Sequence, residues 1–237
     1  WGIVWEDLCK LDYSRSPIIH FMAKVFLYWC RIGVDGFRCD AGYMLPAEAW
    51  EYIVAKVRLE YQDTVFMLEG LGGPQEVQNL LLNPTGLDWA YSEIFQNYSK
   101  NELNGYISYM QFISEERGRL VNFVETHDND RIAKKGRKYA EMRTALTALT
   151  APAGAFGFSG GVEFLATEKI DVHRKTSLNW NNPDNIVNEI RNLNTLLGCN
   201  PVFAGNSVME MIYQNDEVIS FVRYSRDKKY KLLCIIN

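Results

Sequence analysis

The alternation of short apolar runs with longer amphipathic segments constrains the fold of this chain more than any other feature. The apolar runs end near positions 40, 69, 91, 128 and 159, at intervals of roughly 22 to 37 residues by our own boundary assignments. Helical spacing of apolar residues predicts helices between the runs, for example over residues 14–31 and 137–150. This alternation is typical of βα units that build a parallel sheet. The predicted fold class is α/β, and periodicity alone leaves open a closed (β/α)8 barrel or an open, doubly wound sheet.

Three of the apolar runs lead to acidic residues. They lie in the segments Gly33–Asp40, Val65–Gly70 and Asn122–Arg131. In the first, side chains alternate between the two faces of the strand, so Arg38 and Asp40 point the same way. A fixed positive charge favours the ionised form of a neighbouring carboxylate. Asp40 is therefore predicted to be ionised, as a nucleophile must be.

The other two acids suit complementary roles. Glu69 follows the apolar run Val65–Leu68, where desolvation favours the protonated form of a carboxyl group. Retaining cleavage of a glycosidic bond needs one ionised and one protonated carboxyl group about 5–5.5 Å apart. Asp40 and Glu69 fit these roles if their strands are neighbours in a parallel sheet. His127 and Asp128 close the third run, and Asp128 is a candidate for hydrogen bonds to the sugar.

These segments resemble the sequence motifs of the α-amylase family of glycoside hydrolases, family 13. The resemblance implies that Asp40 is the catalytic nucleophile, Glu69 the general acid/base and Asp128 a transition-state stabiliser. It further implies that Arg38 and His127 belong to the substrate site. A (β/α)8 barrel is implied as well, because the family has that fold, and this chain would hold its strands four to eight. Active groups at several strand ends also converge naturally at one rim of a barrel.

Two further residues are candidate substrate contacts. Tyr43 is a candidate for stacking on a glucose unit, with core packing or loop anchoring as the alternative. Arg131 follows the His127-Asp128 pair on the same loop, beside Asp130. A local salt link is the alternative role of Arg131.

Each motif also has a purely structural interpretation. Arg38 and Asp40 would form an ion pair at a strand end, and Glu69 would be a charge at a helix start. His127 and Asp128 would be a loop or N-cap pair. The joint occurrence of the three motifs in the family's order favours the catalytic interpretation.

No cofactor or metal is predicted from this segment. Many amylases carry Lys-His shortly after the nucleophile, and the histidine carbonyl helps to hold calcium. Here those positions are Tyr43 and Met44, so calcium, although possible in a full-length protein, has no support from this segment. The family's usual Asn before the His-Asp pair is Thr126. These departures favour an intracellular α-glucan enzyme over an ordinary secreted amylase.

Composition limits the partners and the compartment. A formal net charge of −4 argues against a nucleic-acid partner. The chain has no run of about 18 apolar residues, so no membrane span is predicted. Five cysteines without a CxxC pair indicate neither a disulfide framework nor a zinc site. We therefore expect a cytoplasmic protein; the oligomeric state is left open.

The predicted function is that of a retaining α-glycosidase acting on glycogen, starch or maltooligosaccharides through a covalent glycosyl-enzyme intermediate. Water as the second reactant gives hydrolysis, whereas a sugar hydroxyl gives transfer. A 4-α-glucanotransferase or debranching-type transglycosylase is therefore the alternative. An inactive amylase-like binding subunit is a third, and retention of Asp40, Glu69 and Asp128 argues against it.

The domain prediction is a partial barrel over residues 1–200 and the start of a β-sandwich-like domain over 201–237. Alternating runs at Val208–Tyr213, Val218–Tyr224 and Tyr230–Ile236 predict antiparallel strands in the second part. We read both ends of the sequence as cuts within a longer polypeptide. Because three barrel strands would then be missing, we expect the isolated segment to be inactive.

Overall fold

Parallel strands alternate with helices through most of the chain, as the sequence predicts. The computed structural model describes residues 9–97, 99–205, 207–212 and 218–237. The chain divides into one unit that ends at Ala90 and a second unit that covers Tyr91–Asn237. The boundary expected near residue 200, between a barrel part and a β domain, stays a prediction.

The first unit is built from βα repeats. Its elements are α1 (Ser16–Ile32), β1 (Gly36–Cys39), α2 (Ala47–Arg58), β2 (Val65–Leu68), α3 (Gln75–Leu81) and the start of β3 (Trp89–Tyr91). Strand β1 pairs in parallel with β2, and Cys39 lies opposite Leu68. Strand β2 pairs in parallel with β3, and Leu68 lies opposite Ala90. The acids that follow β1 and β2 therefore emerge at the same edge of the sheet.

Side-chain alternation in β1 separates the core from the polar face. Phe37 packs edge-on against Phe26 of α1, with 4.7 Å between the ring centroids. The same ring stacks on Phe66 of β2 at 5.7 Å. These aromatic contacts hold α1 against the sheet. Arg38, one residue on, points to the other face, as the period-two pattern predicts.

The second unit continues with strands and helices and then changes architecture. Its remaining elements are α4 (Lys100–Glu116), β4 (Arg119–Phe123), α5 (Arg137–Leu149), β5 (Phe156–Gly157), α6 (Val187–Cys199), β6 (Val208–Met211), β7 (Ile219–Tyr224) and β8 (Lys231–Ile236). Strand β4 pairs in parallel with β5. The Ser92 N–H, directly after β3, donates to the Val121 carbonyl of β4 at 2.9 Å. Strands β6, β7 and β8 form an antiparallel sheet in that order.

The antiparallel sheet confirms the three predicted runs where they are described. Tyr213 and the turn predicted at 214–216 lie outside the described residues. The turn predicted at 225–227 is present, and the Ser225 N–H donates to the Tyr230 carbonyl at 3.0 Å. Across the described part of the chain, no helix is long and apolar enough to cross a membrane.

A buried arginine fastens the antiparallel sheet to α5. Arg223 of β7 donates to the carbonyls of Leu149 and Val202 and to the Ser207 hydroxyl. Its guanidinium also lies over the Phe203 ring, 4.5 Å from the centroid. Burial lowers the pKa of Arg223 to about 10. The cation is therefore solvated by protein carbonyls instead of water.

Two elements differ from the sequence expectation. Helix α6 was not predicted, although Ile190, Leu193 and Leu197 recur at helical spacing within Val187–Cys199; Ile190 is its buried residue. Ile190 joins Val124 and Ala140 in a hydrophobic core cluster of the second unit. Strand β4 ends at Phe123, so Asp128 lies on the following loop and not at the strand end itself.

An ion pair ties the end of α2 to the start of β3. Arg58 Nη2 lies 2.8 Å and 2.7 Å from the two carboxylate oxygens of Asp88. The same carboxylate accepts the Phe66 N–H at 2.8 Å. Asp88 thus joins a helix and two neighbouring strands.

We expect Asp88→Ala to lower the free energy of unfolding by about 1–3 kcal/mol, because the Phe66 N–H and the Arg58 guanidinium lose their acceptor. Asp63→Ala removes an exposed carboxylate in the same unit and should change stability by less than about 0.5 kcal/mol. Differential scanning calorimetry compares the two variants. Equal melting temperatures would contradict the proposed contribution of the Asp88 ion pair.

Candidate active site

Asp40 follows directly on β1 and is presented to solvent. Its side chain is 77% exposed, whereas that of Arg38 is 31% exposed. Arg38 Nη1 donates to Asp40 Oδ1 at 2.5 Å. The structure thus contains the predicted pairing of a fixed cation with an accessible carboxylate.

Glu69 follows directly on β2 and is nearly buried, with 8% of the residue exposed. Its Oε2 accepts the Ala41 N–H at 2.8 Å, and its Oε1 accepts the Leu71 N–H at 2.9 Å. The carboxyl plane is therefore fixed by two backbone donors. One of these donors belongs to the residue after Asp40, so the two acids occupy adjacent strand ends, as the predicted roles require.

The backbone turns sharply between the two acids. Ala41 has φ 42° and ψ 39°, the left-handed conformation. Alanine in this region costs about 1–2 kcal/mol relative to the right-handed conformation. The Glu69 carboxylate holds the Ala41 N–H, and Trp50 Nε1 donates to the next carbonyl, that of Gly42, at 2.8 Å. Surrounding contacts thus maintain a strained turn beside Asp40, a frequent property of functional sites.

Tyr43 lies in a short 3₁₀ turn, Gly42–Met44, next to both acids. Burial raises the pKa of Tyr43, and the charges of Glu69 and Asp40 raise it further. Its phenol is therefore neutral and protonated. The ring packs so closely on Gly73 that a Cβ atom there would lie 2.8 Å from Tyr43 Cγ. Loop anchoring, the alternative in the sequence analysis, is one role of this ring; substrate contact stays a prediction.

His127 and Asp128 form a pair on the loop after β4. His127 Nε2 lies 3.3 Å from Asp128 Oδ2, and the Asp128 side chain is 72% exposed. Thr126 shapes the turn that carries them. Its hydroxyl donates to Asn129 Oδ1 at 2.5 Å, and it accepts the Asp128 N–H at 3.3 Å.

Arg131 requires a correction. Its side chain is 1% exposed, and its Nε lies 2.8 Å from Oε1 of Glu125, which is 2% exposed. The structure therefore gives Arg131 the local salt link that was the alternative, and this buried guanidinium does not present itself to a substrate. Asp130 instead pairs with Lys134 at 2.7 Å on the surface. The hydrogen bond from Lys134 lowers the pKa of Asp130.

Glu125 was missed by the sequence analysis. It lies between Val124 and Thr126, and Arg131 follows six positions later. The sequence did contain a signal for this ion pair, because an acidic residue precedes the His127-Asp128 pair and a basic residue follows it. Burial raises the pKa of Glu125, while the Ile132 N–H and the Arg131 charge oppose that rise.

The predicted site residues thus form two groups. The structure brings Arg38, Asp40, Tyr43 and Glu69 together in the first unit. His127 and Asp128 form a pair in the second unit. Among the described residues, no group of three or more His, Cys, Asp or Glu side chains is arranged to hold a metal ion.

Comparisons with solved structures give the same fold. An α-amylase from Anoxybacillus superposes with a TM-score of 0.78 at 18% identity, covering 96% of this chain and 53% of that one. A maltogenic α-amylase from Thermotoga neapolitana superposes with a TM-score of 0.77 at 22% identity, covering 96% and 54%. The predicted fold class is therefore confirmed: a portion of a (β/α)8 barrel followed by antiparallel strands.

Curated relatives match over nearly the whole chain, although no family model does. An α-1,4-glucan:maltose-1-phosphate maltosyltransferase of Picrophilus torridus is 25% identical over 252 residues, covering 98% of this chain and 38% of the relative. The enzyme of the same name from Rhodospirillum rubrum is 26% identical over 255 residues, covering 98% and 36%. The chain thus spans less than half of these relatives. Together, these matches confirm the resemblance to the α-amylase family of enzymes.

We expect Ala41→Gly to leave the free energy of unfolding unchanged or to raise it by up to about 1.5 kcal/mol. Glycine removes a left-handed strain of about 1–2 kcal/mol and adds an entropy cost of about 0.5–1 kcal/mol. Ala55→Gly, at an exposed position within α2, should lower stability by about 1 kcal/mol. Calorimetry of both variants provides the measurement. Equal losses would show that Ala41 is not strained.

Proposed function

We propose that this chain carries the catalytic carboxylates of a retaining α-glycosidase that acts on α-glucans. The observation that carries the proposal is the placement of Asp40 and Glu69 on adjacent strand ends, joined through the Ala41 N–H. Asp40 is exposed and paired with Arg38, as suits a nucleophile. Glu69 is nearly buried, and two backbone N–H groups fix the orientation of its carboxyl group, as an acid/base residue needs.

In the first step, an Asp40 carboxylate oxygen bonds to the anomeric carbon of the sugar while the bond to the leaving-group oxygen breaks. Glu69 gives its proton to that oxygen. The product is a glycosyl ester of Asp40, with Glu69 now ionised. In the second step, Glu69 takes a proton from water, the water oxygen bonds to the anomeric carbon, and the ester bond to Asp40 breaks.

The remaining candidates have supporting roles in this proposal. Arg38 orients the Asp40 carboxylate through their 2.5 Å hydrogen bond. His127 and Asp128 contact sugar hydroxyls, which suits their exposed side chains. Tyr43, with a neutral phenol beside the two acids, is a further substrate contact.

Transfer to a sugar acceptor is the second candidate function. The similarity to maltosyltransferases favours it. The first step is the same, and a sugar hydroxyl replaces water in the second step. The cytoplasmic setting expected from the cysteine content stays a prediction.

Incubation of the full-length protein with maltoheptaose tests both candidates. Shorter products with a rising number of reducing ends would support hydrolysis. Products both longer and shorter than the substrate, at a constant number of reducing ends, would support transfer. Unchanged maltoheptaose would contradict both for this substrate.

Substitution separates the roles of the two acids. We expect Asp40→Asn to lower kcat by at least ~10⁴-fold on any donor, because no nucleophile remains. Glu69→Gln should lower kcat on maltoheptaose by ~10²–10⁴-fold, because the leaving group loses its proton donor. With α-maltosyl fluoride as the substrate and azide as the nucleophile, the turnover of Glu69→Gln should be restored. Fluoride leaves without needing a proton, and azide attacks without needing a base.

Asp63→Asn, an exposed carboxylate of the first unit, is the control and should retain full activity. Circular dichroism checks that each variant is folded. Substantial maltoheptaose turnover by folded Asp40→Asn would exclude Asp40 as the nucleophile. Failure of azide to restore Glu69→Gln would remove the acid/base role of Glu69.

A further inference from the structure

The loop that carries His127 and Asp128 is closed at its base by a buried ion pair. Glu125 precedes the two residues and Arg131 follows them, with 2.8 Å between Arg131 Nε and Glu125 Oε1. We propose that Glu125 and Arg131 form a positioning clamp that sets where His127 and Asp128 meet the substrate. The clamp itself does not touch the sugar. This inference rests on the proposed function.

Burial distinguishes the clamp from the other ion pairs of the same segment. Both clamp side chains are almost inaccessible, whereas Lys134 and Asp130, only a few residues away, are 46% and 74% exposed. An exposed pair is screened by water and contributes little. In the clamp, Arg131 Nε and Nη1 and Glu125 Oε1 make no hydrogen bond of good geometry, so charge attraction joins the two side chains. Removal of either partner would leave the other charge buried and unpaired, which is strongly unfavourable.

The clamp reaches beyond the ion pair to the neighbouring loop. Arg131 Nη2 donates to the Gly160 carbonyl at 2.9 Å, in the segment after β5. The Ser159 hydroxyl donates to the Glu125 carbonyl at 3.1 Å. Glu125 Oε2 accepts the Ile132 N–H at 2.7 Å. The loop after β4 is therefore fixed at both of its ends and against the loop after β5.

Close packing leaves the guanidinium little room to move. A Cβ atom on Gly161 would lie 2.8 Å from Arg131 Nη2 and 3.0 Å from the Leu178 carbonyl oxygen. Gly161 also has φ 94°, a conformation that favours glycine. Glycine at position 161 thus leaves the space that the planar guanidinium of Arg131 occupies between the two loops. Lysine keeps the charge but lacks this planar fork.

The clamp contrasts with the tip of the loop. His127 and Asp128 are exposed and paired with each other, and Thr126 supports them from within the loop. The tip therefore depends on its base for its position. A displacement of about 1 Å at a catalytic group is sufficient to reduce turnover by ~10²-fold.

A double-mutant cycle on maltoheptaose tests the clamp. We expect Arg131→Lys to lower kcat by ~10–100-fold with little change in KM. In an Asp128→Asn background the same substitution should have almost no further effect, because the clamp acts through Asp128. Lys134→Gln, which breaks only the exposed pair with Asp130, is the matched control and should leave kcat unchanged.

A second variant and a second measurement keep the test decisive. Ser159→Ala removes one hydrogen bond of the clamp. It should lower kcat too, by a smaller factor than Arg131→Lys does. The imidazole NMR signal of His127 should shift in Arg131→Lys and Ser159→Ala, while those of His20 and His173 stay in place.

The outcomes distinguish the two claims. Equal fold-losses from Arg131→Lys with and without Asp128→Asn, or an unmoved His127 signal, would overturn the clamp. A wild-type protein without activity on maltoheptaose would contradict the proposed function instead. The His127 signal would then still decide whether the clamp positions the loop.

Discussion

The hydrogen bond between the Glu69 carboxylate and the Ala41 N–H is the interaction on which the candidate site depends most. It joins the ends of two parallel strands and holds the left-handed turn that follows Asp40. Without it, alanine would favour a right-handed backbone at this position. The same bond orients the carboxyl group of Glu69. One contact thus fixes both the direction of the chain after Asp40 and the orientation of the second acid.

Both loop systems are stabilised from beneath while their functional tips are exposed. In the first unit, Trp50 and Gly73 support the turn that carries Tyr43. In the second unit, Glu125 and Arg131 close the base of the loop that carries Asp128. Rigid support with accessible tips is the arrangement that preorganised sites require. The proposed chemistry therefore draws also on residues that hold these loops in place.

Sequence reasoning succeeded where local pattern and tertiary structure agree. The apolar runs before Asp40 and Glu69 predicted two strands, and the structure pairs them as neighbours in register. It missed α6, although apolar residues recur there at helical spacing, and it placed the end of β4 too late, since the strand stops at Phe123. Boundaries are the least reliable part of such a prediction. The family resemblance, and not the periodicity, separated a barrel from an open sheet.

The sequence by itself determined that Asp40 and Glu69 follow directly on two strands and that Arg38 accompanies Asp40, because alternation in a strand is a local property. Tertiary structure alone decided what Arg131 does. An arginine three residues after a His-Asp pair suits a substrate contact or a salt link equally well. The local sequence pattern does not show whether its side chain is buried. Only the folded chain shows the guanidinium enclosed between two loops with Glu125 as its partner. Desolvation, which depends on every surrounding residue, made that difference.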